Sequence, residues 1–182
     1  SRGLGDVYKR QDLTPDEINA QWAEDKINEL AKSDNDSPFF LAVGFVRPHT
    51  PLIAPQKYFD MYPLDEIKLA NILEKDKEDT FFHDEDQFET KERRTRSIES
   101  YQNLIKSYST KEEALKRFTQ AYLACVTAVD DNIGQVVNAI DNSKFKDNTI
   151  IVFVSDHGWT MGEKNHVYLS LIHISEPTRL ER

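Results

Sequence analysis

The chain has 182 residues, of which 38% are hydrophobic and 30% charged, a composition typical of one globular domain or part of a larger one. Its net charge of -9 excludes a general nucleic-acid binder, which needs a basic surface, and no apolar run is long enough to span a bilayer. The single cysteine, Cys125, excludes an internal disulfide and a cysteine zinc cluster. An anionic substrate would therefore need a local positive centre, such as a metal ion.

The two ends of the chain do not match the patterns of the segments beside them. Residues 1–11 (SRGLGDVYKRQ) and 169–182 (LSLIHISEPTRLER) both resemble translated sequencing-adaptor read-through, which recurs at the ends of metagenomic gene fragments. A native flexible terminus is the alternative. We expect residues 12–168 to be a partial domain, and both ends are excluded from the interpretation of the fold.

A first helix is predicted from Thr14 to about Lys32. Thr14 can cap it, Pro15 suits the first helical position, and Glu17 can complete a capping box. The apolar residues expected to share its buried face are Ile18, Trp22, Ile27 and Leu30.

The next segment favours a strand followed by a long loop. Residues 39–46 (FFLAVGFV) form a nearly continuous apolar run, which predicts a strand buried on both faces, as in a parallel sheet. The four prolines within residues 47–63 predict an ordered loop with one short helical turn at residues 56–61. Residues 65–109 are polar and rich in charge, so we expect a surface excursion that is helical around residues 98–107.

A long second helix is predicted from Thr110 to residues 141–143. Thr110 and Glu113 can form a capping box at its start. Residues 149–155 (TIIVFVS) then predict a second buried strand, and the order of elements indicates an α/β domain with a mostly parallel sheet. The apolar residues at helical spacing are Phe118, Tyr122, Val126, Val129, Ile133, Val137 and Ile140.

Both candidate sites follow directly after a predicted strand. Open α/β sheets bind ligands outside the carboxyl ends of their strands, and these strands lead into residues 47–51 (RPHTP) and 155–159 (SDHGW). An acid beside a histidine, followed by a glycine, is typical of half a metal site. The structural alternative is that Asp156 caps the next turn and that His157 is a satisfied polar residue.

Three segments together resemble the type I sulfatases, in particular the iduronate-2-sulfatase-like branch. In chain order they are PFFLAVGFVRPHTPLIAPQKYFDMYPLDEI, AYLACVTAVDDNIGQVVNAID and NTIIVFVSDHGWTMGEKNH, and the resemblance covers residues 13–168. It implies an alkaline-phosphatase-like α/β/α sandwich, of which this chain would be an incomplete, internal part. It also implies hydrolysis of a sulfate monoester of a small molecule or carbohydrate, by an enzyme of a family that is usually exported.

The resemblance also implies roles for four residues. Asp156 and His157 would bind a divalent cation, calcium in most of the family, although calcium prefers oxygen ligands to histidine. His49 would bind the sulfate or protonate the leaving oxygen, and Arg47 would shape the anion pocket or pack outward. The cation would neutralise sulfate oxygens, and the imidazole would act as a general acid.

The resemblance identifies three missing parts. The family makes a formylglycine nucleophile from the first residue of a Cys- or Ser-x-Pro-x-Arg signature, and Cys125 lies within a predicted helix instead. Residues 175–179 (SEPTR) match the signature by letter, but they come after the metal loop and within the suspect tail. The early acidic metal ligands are absent, and Leu169 stands where the family has a lysine. We therefore expect the chain as given to be inactive.

Two other functions stay open. One is a phosphodiesterase or phosphatase of the alkaline-phosphatase superfamily, in which Asp-His-Gly recurs, although residues 47–51 favour the sulfatases. The other is a non-catalytic α/β fragment with weak ion binding. The adjacent pair Asp130 and Asp131 is interpreted as part of a helix surface or helix packing, because neighbouring helix positions do not face each other.

Overall fold

The computed structural model describes residues 6–8, 12–34, 37–73 and 91–169, and the side chains of residues 12–34, 37–73 and 99–167. The chain divides into two compact units, Ser1–Asp65 with Gln120–Phe153, and Glu66–Thr119 with Val154–Arg182. The elements in chain order are β1 (Asp6–Tyr8), α1 (Pro15–Lys32), β2 (Ile53–Pro55), α2 (Gln56–Phe59), α3 (Lys91–Lys106), α4 (Lys111–Asp141), β3 (Trp159–Met161), a 3-10 turn (Glu163–Asn165) and β4 (Val167–Leu169).

Helix α1 begins with the predicted capping box. The Thr14 hydroxyl accepts the N–H of Glu17 at 3.3 Å, and the Glu17 carboxylate accepts the N–H of Thr14 at 2.6 Å. The start of a helix leaves its first N–H groups without partners inside the helix. The capping box gives a hydrogen bond to two such groups, the N–H of Glu17 and the N–H of the capping residue Thr14. The predicted start and end of this helix are confirmed.

The predicted buried face of α1 is wrong in part. Ile18 and Trp22 are each 53% exposed, whereas Ile27 is fully buried. Ile18 and Trp22 each follow a buried residue by two positions, which puts them on nearly the opposite side of the helix. The buried residues are Asp16, Ala20, Ala23 and Ile27.

The two segments predicted as buried strands are assigned neither helix nor strand, and they pair with no strand within the described residues. Along residues 39–46, half-buried and exposed positions alternate, and Phe40 is 94% exposed. Residues 150–154 are all exposed. Burial on both faces is therefore not observed here, because a strand is covered only where neighbouring elements flank it. The described parallel pair is β1 with β2, and the mostly parallel sheet stays a prediction.

Helix α4 confirms the predicted long helix. At its start, the Thr110 hydroxyl accepts the N–H of Glu113 at 3.0 Å, and the Glu113 carboxylate bonds Arg117 one turn later at 3.0 Å. In the first unit, Ile140 of α4 lies in one apolar cluster with Ile27 of α1. Small side chains dominate the buried face of α4, which includes Ala114, Ala121, Ala124, Cys125 and Ala128.

The short helical turn predicted within the loop is helix α2, which is bonded to α4 in the first unit. The Tyr58 hydroxyl donates to the Asp131 carboxylate at 2.7 Å, and the Lys57 ammonium lies 3.6 Å from the same carboxylate. The hydroxyls of Tyr62 and Thr127 are 2.6 Å apart. Asp131 is therefore a helix-packing residue, as interpreted from the sequence.

The predicted polar excursion contains helix α3, which starts earlier than the sequence suggested. Residues 74–90 of the excursion lie outside the described residues, as do residues 170–182 with the SEPTR string. The proposed boundaries at residues 11 and 169 stay predictions. Among the helices that the structure describes, none combines the length and apolar character that crossing a bilayer requires.

We expect the two isoleucines of α1 to differ when each is replaced by alanine. Ile27→Ala should lower the free energy of unfolding by about 2–5 kcal/mol, because it leaves a cavity in a packed cluster. Ile18→Ala should cost less than about 1 kcal/mol, since its side chain is half exposed. Urea unfolding followed by far-UV circular dichroism measures both values, and equal losses would contradict the buried face assigned to this helix.

Candidate functional site

The turn that carries His49 is closed by backbone and guanidinium hydrogen bonds. The N–H of His49 donates to the carbonyl of Val46 at 2.8 Å. The Arg47 guanidinium donates through Nε to the carbonyl of Ile53 and through Nη1 to that of His49, each at 2.9 Å. Arg47 therefore ties the beginning of the loop to its end, and its proposed contact with an anion stays a prediction.

The imidazole of His49 is held by its neighbour along the chain. Its Nδ1 lies 2.7 Å from the carbonyl of Thr50, and the side chain is exposed. Because a carbonyl can only accept, this hydrogen bond places a proton on Nδ1 and leaves Nε2 for other chemistry. In the imidazolium form Nε2 can donate to an oxyanion or to a leaving oxygen. The peptide bonds before Pro48 and Pro51 are both cis.

A buried carboxylate accepts hydrogen bonds from the backbone at the end of the first apolar segment. Asp16, in the first turn of α1, is only 3% exposed. Its two oxygens accept the N–H groups of Val46 at 2.8 Å and Arg47 at 2.9 Å. Sequence reasoning assigned Asp16 only to the helix-start signature, because its contacts lie thirty residues away along the chain. No local pattern signals such a contact.

Asp156 and His157 contact each other directly. Oδ1 of Asp156 accepts the N–H of His157, the next residue along the chain, at 2.9 Å. The second oxygen, Oδ2, lies 3.4 Å from Nε2 of His157. The carboxylate is 85% exposed, so it is open to a ligand from solution.

The donor atoms of this pair fit one side of a cation site. His157 Nδ1 lies 3.0 Å from the carbonyl of Gly158, which leaves the lone pair of Nε2 for a metal, as is usual for metal-binding histidines. Two ligands about 2.4 Å from one cation and at right angles are about 3.4 Å apart, which matches the separation of Oδ2 and Nε2. In the described part of the chain no three His, Cys, Asp or Glu side chains could hold a metal together, so the pair fits part of a site.

Apolar packing in the second unit anchors the chain that follows this pair. The ring of Trp159 stacks on Phe118 of α4, with centroids 6.1 Å apart. After β3 the chain turns at Gly162, whose φ of 115° is a conformation that favours glycine. A Cβ there would lie 2.9 Å from Cδ2 of Leu115, so the hairpin approaches α4 closely. The position of the Asp156–His157 pair thus depends on α4.

The predicted site residues fall in two units. Arg47 and His49 follow the first apolar segment and belong to the first unit, whereas Asp156 and His157 follow the second apolar segment and belong to the second unit. The sequence predicts that His49 and Asp156 lie at the same edge of one sheet, and this stays a prediction.

Comparison with known proteins identifies the family. A family model described as Sulfatase matches residues 5–178. The chain belongs to the sulfatase family. Membership implies the alkaline-phosphatase-like α/β fold.

Curated relatives of this sulfatase chain include enzymes with several names. It is 40% identical over 157 residues to a sulfatase of Formosa agariphila, a match that covers 84% of the chain and 27% of the relative. It is 36% identical over 141 residues to an arylsulfatase of Clostridium perfringens, covering 78% and 26%. It is 33% identical over 151 residues to iduronate 2-sulfatase of Mus musculus, covering 79% and 26%. The chain thus spans about a quarter of the length of these relatives.

The only cysteine of this sulfatase chain is buried, and its surroundings keep the thiol protonated. Burial raises the pKa of the Cys125 thiol to about 11, while the Arg47 guanidinium lowers it and the Asp16 carboxylate raises it. The thiol is therefore protonated at neutral pH, and it packs as a small apolar side chain on α4.

We expect Cys125 to resist thiol reagents in the native chain. At pH 8 a pKa of about 11 leaves about one thiol in a thousand as thiolate, so its reaction with Ellman's reagent should be slower than in denaturant by about 100-fold or more. Asn138→Cys in a Cys125→Ala background provides a matched control, because residue 138 is exposed on the same helix. Equal rates for the two native thiols would contradict the burial of Cys125.

Proposed function

We propose that this chain is part of a sulfuric ester hydrolase in which Asp156 and His157 hold a divalent cation and His49 contacts the sulfate. The observation that carries the proposal is the 3.4 Å separation of Asp156 Oδ2 and His157 Nε2 at the end of an apolar segment. In a chain of the sulfatase family, such a pair directly after a predicted strand is the expected place for the ion.

The proposed chemistry follows from the atoms that these residues present. A bound cation, which we propose to be calcium, would neutralise sulfate oxygens and stabilise charge that develops on them. The hydrogen bond from His157 Nδ1 to Gly158 fixes the ring so that Nε2 faces the carboxylate. Nε2 of His49 donates to a sulfate oxygen or gives its proton to the leaving oxygen. Arg47 shapes the anion pocket by holding the His49 carbonyl.

The proposed substrate is a sulfate ester of a carbohydrate or a similar small molecule. The resemblance of residues 13–168 to the iduronate-2-sulfatase-like branch supports this choice, as does the 33% identity with the mouse protein of that name. We also propose that the complete protein is exported, which the family resemblance implies. Turnover would require a formylglycine nucleophile and further acidic ligands, so the 182-residue chain should bind ions without hydrolysing esters.

Binding of calcium to the chain tests the metal site without any need for turnover. We expect Asp156→Asn to weaken calcium binding by about tenfold or more, because it removes one charged ligand. Asp147→Asn provides the control, since Asp147 is also exposed but lies outside the proposed site. Isothermal titration calorimetry measures both affinities, and equal weakening in the two variants would rule out the assigned ligand.

Activity of the longer gene product that contains this segment tests the enzymatic role. We expect His49→Ala and Asp156→Ala each to abolish hydrolysis of an aryl sulfate while the far-UV circular dichroism spectrum is retained. A wild-type rate in either variant would refute its role. Cleavage of a phosphodiester but not of the sulfate ester would favour the phosphodiesterase alternative. Lack of a nucleophile in the longer product would favour a non-catalytic protein.

A further inference from the structure

Asp16 is the one acidic side chain that the described residues bury almost completely. Each of its oxygens accepts a different backbone N–H, and these two donors, Val46 and Arg47, are consecutive where the turn at residues 47–48 begins. Consecutive N–H groups of an extended strand point in opposite directions. A single carboxylate can accept both only if the chain turns there, so Asp16 and the turn depend on each other.

The hydrogen bonds continue from this carboxylate to His49. Val46, whose N–H is bound to Asp16, accepts the N–H of His49 on its carbonyl. Arg47, whose N–H is also bound to Asp16, donates its guanidinium to the carbonyl of His49. Both backbone polar groups of His49 are therefore bonded to residues that Asp16 holds. The imidazole is then oriented by Thr50, the next residue along.

We propose that Asp16 is a positioning residue, which sets the orientation and the tautomer of the His49 imidazole through the turn at residues 46–49. The importance of this role for catalysis rests on the proposed function of His49 at the sulfate. Asp16 itself touches neither the imidazole nor the candidate metal ligands in the described hydrogen bonds.

The chemistry of this position favours aspartate over other residues. Ionised carboxylate accepts two N–H groups, whereas the amide of asparagine offers one accepting oxygen and would set a donor against the second N–H. The first turn of a helix also stabilises negative charge, because its N–H groups point toward it. Asn19, one turn further along α1, donates its amide to the carbonyl of Gly44 at 2.9 Å and aligns the same segment.

A spectroscopic experiment on the 182-residue chain tests the proposal. Nitrogen-15 NMR of labelled histidine distinguishes a ring protonated on Nδ1 from one protonated on Nε2, and His49→Gln identifies the signal. We expect neutral His49 to carry its proton on Nδ1 in the native chain and in Asp16→Glu, which keeps both accepting oxygens. In Asp16→Asn we expect this signature to be lost in favour of the Nε2–H form that free histidine prefers.

Glu17→Ala is the matched control for a general loss of stability. It breaks the capping box in the same helical turn but leaves the two N–H bonds of Asp16. We expect the Nδ1–H signature of His49 to persist in this variant, even though its melting temperature falls. Loss of the signature in Glu17→Ala, or its persistence in Asp16→Asn, would overturn the proposal, as would an Nε2–H ring in the native chain. If Asp16→Asn does not fold, loss of the Nδ1–H signature in folded Asp16→Glu, which keeps both accepting oxygens, would overturn the proposal.

Titration with inorganic sulfate separates this inference from the proposed function. If sulfate shifts the His49 signal in the native chain but not in Asp16→Asn, the result supports both the positioning role of Asp16 and the contact of His49 with sulfate. A tautomer that depends on Asp16, with no response to sulfate, keeps the positioning role of Asp16 and removes His49 from the sulfate site.

Discussion

The geometry around His49 depends on hydrogen bonds to two backbone N–H groups where the first apolar segment ends. A buried N–H without an acceptor costs about as much as a lost hydrogen bond, so the end of such a segment requires partners. Here one carboxylate from α1 supplies two of them. The turn that follows, the guanidinium that closes the loop and the imidazole at its tip all take their places from that contact.

Helices were predicted well because their signals are local. The capping box at Thr14 and the hydroxyl cap at Thr110 both lie within three residues of the groups they bind. The buried face of α1 is poorly predicted by the sequence, because a large apolar side chain such as Trp22 is a stronger signal of burial than an alanine. Alanine is a weak signal of burial in sequence, yet it is what allows helices to approach closely. The sheet depends on pairing between distant segments, which no local pattern specifies.

The candidate site stays a prediction at the level of residue type and position. Asp156 and His157 become candidates through their order after an apolar run, because parallel strands place their ligands at that end. Their separation, and the proton on Nδ1 of His157 that its bond to Gly158 requires, depend on backbone conformation and were not accessible from sequence. The contribution of Asp16 was missed for the same reason, since it is made across thirty residues of chain.

The exposed apolar segment at residues 150–154 favours self-association of this chain in solution. Five consecutive β-branched or aromatic residues without charge or proline are the composition of segments that self-associate into fibrils. Charges at Lys146, Asp147 and Asp156 flank the segment and act as gatekeepers against such stacking. A cation bound at Asp156 would neutralise one of these gatekeepers, so metal loading would lower the colloidal stability of the isolated chain.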